Sequence, residues 1–148
     1  AHKDLNQQFM DRTVKKLYHC LVNPVPTWQT QTCLEPLSTN TGRKHLTRVD
    51  LKTWQAAQSD LNLINKTKDV ALLECEIKSG YRHQIRAHLY VLGLGILGDP
   101  LYRPSQNIIP PQRVPRMALH AYQIAFIHPG NKKAVTYTAE TPAIFYGF

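Results

Sequence analysis

Between Val70 and Leu92 the spacing of apolar residues changes from one period to another across a single turn. In "VALLECEIK", residues 70–78, Ala71, Leu73, Cys75 and Ile77 alternate with Glu74, Glu76 and Lys78. A repeat of two puts the first set on one side of a strand and the second on the other. Ser79-Gly80 ends that pattern. From about His83 to Leu92 the apolar positions are Ile85, Leu89 and Leu92, the stripe of a helix. A half-buried strand followed at once by a striped helix belongs to a layered α+β domain.

The rest of the chain fits that class. Leu5, Phe9, Met10 and Thr13 recur at helical spacing and predict an amphipathic helix over residues 3–15. "LYHCLV", 17–22, reads as a strand stopped by Pro24 and Pro26. Residues 27–50 read as loops and one short hairpin, with Gly42-Arg43-Lys44-His45 as an exposed basic tip. Gly93, Gly95 and Gly98 break the helix before the turn-rich "ILGDPLY", and residues 103–115, with four prolines, read as an irregular loop. "LHAYQIAFIHP", 119–129, is a second strand, which Gly130-Asn131 returns into "AVTYTAE" as a hairpin. The expectation is a single domain over 1–148, α+β, with a mixed, mostly antiparallel sheet and flanking helices.

Charge narrows the partner. Eighteen Lys and Arg against ten Asp and Glu give a formal net charge of +8, which favours an anionic partner such as nucleic acid. Cys20, Cys33 and Cys75 are isolated and never form a CxxC pair, which argues against a zinc site or a disulfide framework. They suit a reducing compartment, the cytoplasm or an organelle matrix. No apolar run approaches the roughly 18 residues of a membrane span.

The donors concentrate in "SGYRHQIRAH", residues 79–88. On the expected helix Arg82 and Arg86 stand one turn apart on one face. Free backbone N–H groups at a helix start favour an anion, and guanidinium groups add to that preference. The same residues also fit a helix whose polar face is simply rich in Arg and His. His83 and His88, five apart, are not a helical metal pair, which wants a spacing of four.

"SGYRHQIRAHLYVLGLGILGDPLY" closely resembles the signature of RluA-type RNA pseudouridine synthases. "RMALHAYQIAFIHP" and "QQFMDRTVKKLYHCLV" resemble further blocks of that family, in the right order. The resemblance implies isomerisation of uridine to pseudouridine in structured ribosomal or transfer RNA, with no metal or organic cofactor. It implies that Tyr18 lies against the flipped-out base and that Arg86 pairs with the catalytic aspartate. Tyr81, Arg82, His83 and Gln84 would support the loop and meet RNA, and Lys44 at the hairpin tip would add a contact. Tyr81 stands where the family usually has arginine.

The family nucleophile is the aspartate of a His-Arg-Leu-Asp block ahead of the tyrosine strand, and no such block lies between Ala1 and Tyr18. Of the six aspartates, Asp50 falls after the tyrosine block and Asp99, in Gly-Asp-Pro, reads as a loop brace. The expectation is the C-terminal part of a catalytic domain that is incomplete at its N-terminus, with the nucleophile upstream of Ala1. Such a fragment would be inactive alone and would self-associate or retain its missing portion. The competing expectation is an RNA-binding or ribosome-assembly protein on the same scaffold without chemistry.

Overall fold

The computed structural model describes residues 1–53, 55–105 and 114–147. The strand read at 17–22 is β1 (Lys15–Asn23), and the alternating segment is β6 (Ala71–Ile77). They pair antiparallel, Leu17 opposite Glu76 and Val22 opposite Ala71. The main sheet runs β2 (Thr30–Cys33), β5 (Ser59–Lys66), β6, β1, β8 (Leu119–Ile127), β9 (Ala134–Thr138), with the short β7 (Gly95–Ile96) also on β1. Every pairing among the described residues is antiparallel. β3 (Leu37–Thr41) and β4 (Leu46–Val49) form the separate hairpin, whose tip is 42–45 as expected.

Two strands lie where the spacing did not announce them. Residues 30–33 join the sheet as β2 by pairing with β5, and residues 59–66 form β5 between β2 and β6. Leu61 and Leu63 are the inward positions of β5. Of the proline-rich loop, residues 106–113 lie outside the described residues.

Helix α1 (His2–Met10) stops short of residue 15 because the chain turns at Arg12, whose φ is 58°. None of its residues is buried, contrary to the expected apolar stripe, and Met10 is 75% exposed. Polar contacts hold it instead. The Gln8 amide donates to the Ile127 carbonyl at 2.8 Å and accepts the Ile127 N–H at 2.9 Å, while Asp4 pairs with Lys132.

Helix α2 (Gln84–Val91) packs on the sheet as the change of period demands. Ile85 and Leu89 join Cys20, Val22, Leu61, Leu73, Cys75, Ile77 and Ile96 in one apolar core. Leu21 and Leu72 face each other across the β1–β6 pair, and Phe145, from a 3-10 turn at Ala143–Tyr146, lies beside them. The three thiols are buried and free, and Cys20 and Cys75 share a hydrogen bond at 3.7 Å between sulfurs without a disulfide.

A chain of buried polar groups fastens α2 to the strand ends. The Gln58 N–H donates to Ser79 Oγ at 3.1 Å, and the Ser79 hydroxyl donates to Gln84 Oε1 at 2.7 Å. Gln84 Nε2 donates to the Gln58 carbonyl at 2.8 Å and to Ser59 Oγ at 3.0 Å. Ser59 stands 2.8 Å from His88 Nδ1, and His88 Nε2 stands 2.9 Å from the Glu35 carbonyl. A carbonyl can only accept, so Nε2 carries the proton and Nδ1 accepts the Ser59 hydroxyl. His88 is fully buried, and burial pushes its pKa below the ordinary 6.5, more than the Glu35 carbonyl and carboxylate raise it.

That environment sets a pH dependence. The folded His88 takes its proton at lower pH than the unfolded chain does, so the unfolded state binds more protons below 6.5. Stability therefore falls as pH drops from 6.5 towards the folded value, by at most about 1.4 kcal/mol per pH unit from this one group. His83, whose pKa is also lowered, acts with the same sign. Urea unfolding of the His88→Gln chain between pH 7 and 5 should give lower stability at neutral pH and a flatter slope than wild type. An unchanged slope would refute the assignment.

Candidate active site

The turn at His83, with φ 56°, delivers the second half of "SGYRHQIRAH" to a cluster around Tyr102. Asp99 opens that cluster's loop, its Oδ1 accepting the N–H groups of Leu101 at 2.8 Å and Tyr102 at 3.1 Å. Both carboxylate oxygens also meet Arg86, Nε to Oδ2 at 2.7 Å and Nη2 to Oδ1 at 2.7 Å. This is the bidentate geometry that a planar guanidinium favours. The guanidinium carbon stands 4.7 Å from the Tyr102 ring centroid.

Tyr102 also ties in the β3–β4 hairpin. Its hydroxyl accepts the Thr47 N–H at 2.8 Å and lies 3.1 Å from His83 Nδ1, while the Thr47 hydroxyl donates to the Arg82 carbonyl at 2.6 Å. Leu37, Ala57, Ala87 and Tyr102 form a second small core there. Burial alone raises the Asp99 pKa, but hydrogen bonds from Arg86, Leu101 and Tyr102, with the Arg86 charge, hold it below the usual 3.8. Burial lowers the His83 pKa, and the charges of Arg86 and Arg82 lower it further, against a smaller opposing effect of Asp99.

These contacts revise the sequence reading. Arg82 and Arg86 do not share a face: Arg82 is exposed in the turn before α2, whereas Arg86 is buried. The carboxylate expected only upstream of Ala1 has a counterpart within the chain, because Asp99 occupies Arg86 Nε and Nη2. Gln84 is 2% exposed and spends its amide on Ser79, Tyr81, Gln58 and Ser59, so it braces the loop and offers RNA nothing. Its donors and acceptors were legible as residue types, but their inward direction was not. Tyr102 and Ser59 were not singled out, and the bracing role of His88 was not read, because their partners come from distant segments.

Tyr18 sits apart from that cluster. It is half-buried on β1, in register with Cys75 on one side and Ala121 on the other. It lines an open cleft of about 440 Å³ with Phe9, Lys16, Tyr122 and Tyr137. Burial pushes its phenol up, so the hydroxyl keeps its proton at neutral pH. Phe9 and Lys16 are also walls of an adjoining cleft of about 330 Å³, lined by Arg12, Lys78, Ser79, Gly80 and Tyr81. Tyr81 thus stands on the cleft's edge, while Lys44 is exposed at the hairpin tip.

Residues 1–90, which hold the Tyr18 strand and the whole donor cluster 79–88, match the family model described as RNA pseudouridylate synthase. The chain belongs to this family. It is 30% identical over 146 residues to the ribosomal large subunit pseudouridine synthase D of Zymomonas mobilis, covering 96% of this chain and 46% of the relative. It is 32% identical over 143 residues to an uncharacterized RNA pseudouridine synthase of Chloroflexus aurantiacus, covering 97% and 44%. The chain spans about half the length of the curated relatives it matches. The fold is shared with human RNA pseudouridylate synthase domain containing 1, at a TM-score of 0.76 and 22% identity, over 91% of this chain and 58% of that one.

In this pseudouridylate synthase scaffold the Arg86–Asp99 pair is buried, so its members depend on each other. Asp99→Asn keeps an acceptor for the two backbone N–H groups but turns an amide towards Arg86. Chemical denaturation should show a loss of about 3 kcal/mol, shrinking well below that when Arg86→Met is already present. Additive losses in the double-mutant cycle would mean that the pair is not coupled.

Proposed function

We propose that the chain is the tyrosine-bearing part of an RNA pseudouridine synthase, an isomerase that converts uridine to pseudouridine in RNA. The observation that carries the reading is Tyr18, half-buried, protonated and set in an aromatic-lined cleft within the family-matched segment. An unstacked base needs such a platform, since base-modifying proteins take their target out of the helical stack. Tyr18 would lie against that base. The names of the relatives make large-subunit ribosomal RNA the first substrate to try, ahead of transfer RNA.

The nucleophilic aspartate, in this reading, comes from outside residues 1–148. Arg86 would act as a positioning residue, since its contacts to Asp99 and Tyr102 hold α2 and the β3–β4 hairpin together. Two observations favour the alternative, an RNA-binding protein without chemistry. The guanidinium expected to serve a catalytic carboxylate already has Asp99, and Tyr81 stands where the family usually has arginine.

Pseudouridine formation by the full-length gene product separates the two readings. Turnover on large-subunit ribosomal RNA, lost by about 100-fold or more in Tyr18→Phe with RNA affinity preserved, would support the enzyme. RNA binding with no pseudouridine in wild type would support the assembly protein.

The uncovered β8–β9 hairpin has a bearing on partners. β8 pairs on both edges yet has no buried residue, and among the described residues β9 leaves an unpaired edge, with Tyr137 59% exposed. We expect this surface to be covered by the remainder of the protein or by a second copy. Light scattering on the 148-residue chain should give a mass above 16.9 kDa, and a clean monomer would reject self-association.

A further inference from the structure

Two cations, Arg12 and Lys16, line one cleft beside Tyr18, and no carboxylate is among the described residues that line it. Lys16 Nζ lies part-buried against the loop before α2, donating to the Ser79 carbonyl at 3.3 Å. Gly80 makes room for it, since a Cβ there would stand 3.3 Å from that ammonium. The same ammonium stands 5.8 Å from the Phe9 ring centroid. Arg12 lines the same cleft. Burial lowers the Lys16 pKa, and the Arg12 charge lowers it further.

Neither Arg12 nor Lys16 has an ion pair among the described residues. Lys78, the third cation on the cleft, pairs with Glu76, which also stands 4.0 Å from Lys15. Asp11, next to Arg12 in sequence, accepts the Gln7 amide at 2.9 Å. Two like charges held together in a partly desolvated cleft are relieved by an anion placed between them.

The walls indicate which anion. Phe9 and Tyr81 flank the cations, and Lys16 lies two residues before Tyr18 on the same strand face. Alternating cations and aromatic rings are the surface that a nucleic-acid strand takes, phosphates on the charges and bases on the rings. We propose that Arg12 and Lys16, with Lys78 at the rim, cradle the phosphodiester backbone of the RNA strand that carries its target past Tyr18. The inference rests on the RNA-modifying reading above and adds to it a binding path of named residues.

Salt dependence of binding tests it. A fluorescein-labelled, uridine-rich single strand is titrated into the 148-residue chain over a range of salt. Each phosphate contact contributes about 0.7 to the slope of log K against log salt for a single strand, so Arg12→Asn/Lys16→Gln should flatten the slope by about 1.4 and weaken binding at low salt. Asparagine tolerates the left-handed backbone at position 12. Arg12→Lys/Lys16→Arg should restore the wild-type slope, which a merely folding-related loss would not.

Lys66→Gln/Lys68→Gln removes two exposed lysines at the distant β5–β6 turn as a control for diffuse charge. An equal flattening in that control, or an unchanged slope in the cradle variant, would overturn the inference. A wild-type chain without salt-dependent binding overturns it too, whatever the pseudouridine assay gives. A flattened slope in a protein that forms no pseudouridine would keep the cradle and remove the chemistry.

Discussion

The polar chain from Gln58 to Glu35 is the constraint on which the remaining architecture depends. β5 begins and β6 ends beside the loop that starts α2, so backbone groups of all three meet out of water. An unpaired buried polar group costs about as much as several apolar contacts gain. Gln84 answers the start of β5 and its own loop with one amide, and Ser59 and His88 carry the bonding on to Glu35. With every donor directed, α2 has one position on the sheet, and Ile85 and Leu89 then fill the core beneath it.

That position has a second effect. With α2 fixed, Arg86 stands within reach of Asp99 in the following loop, and Tyr102 follows to cover the guanidinium. The same Tyr102 hydroxyl takes the hairpin through Thr47. Two polar assemblies thus start from opposite sides of one short helix, one joined to the strands and one to the loops. What first reads as a cluster aimed at an external anion is largely spent on the protein's own interior. The two cations beside Tyr18 without an ion pair among the described residues, Arg12 and Lys16, come from a less conspicuous stretch.

Several elements were legible because their patterns are complete within one segment. The alternation in β6, the stripe of α2 and the turn of the β8–β9 hairpin each carry their own signal. β2 is four residues of mixed polarity, and β5 interrupts its alternation with asparagines and a register shift between Leu63 and Asn65. Both are strands because partners are present, a dependence local spacing does not encode. The end of α1 was missed for a similar reason, since an arginine in the left-handed region leaves no glycine signal. In the site, Arg86 and Arg82 are one residue type a turn apart. Only Asp99, thirteen positions on from Arg86, decides which of them goes inside.

Helix α1 stands on different terms from the rest. Its hold on the sheet is one amide clamp at Ile127, a surface ion pair and the Phe9 ring beside Lys16, with no buried side chain. Detaching it would sacrifice exposed hydrogen bonds and leave the core intact, so it belongs to the part of the molecule that opens locally long before global unfolding. Phe9, at its end, is the wall common to both clefts around Lys16. The Phe9 wall of the cleft beside Tyr18 therefore rests on surface contacts and not on the apolar core.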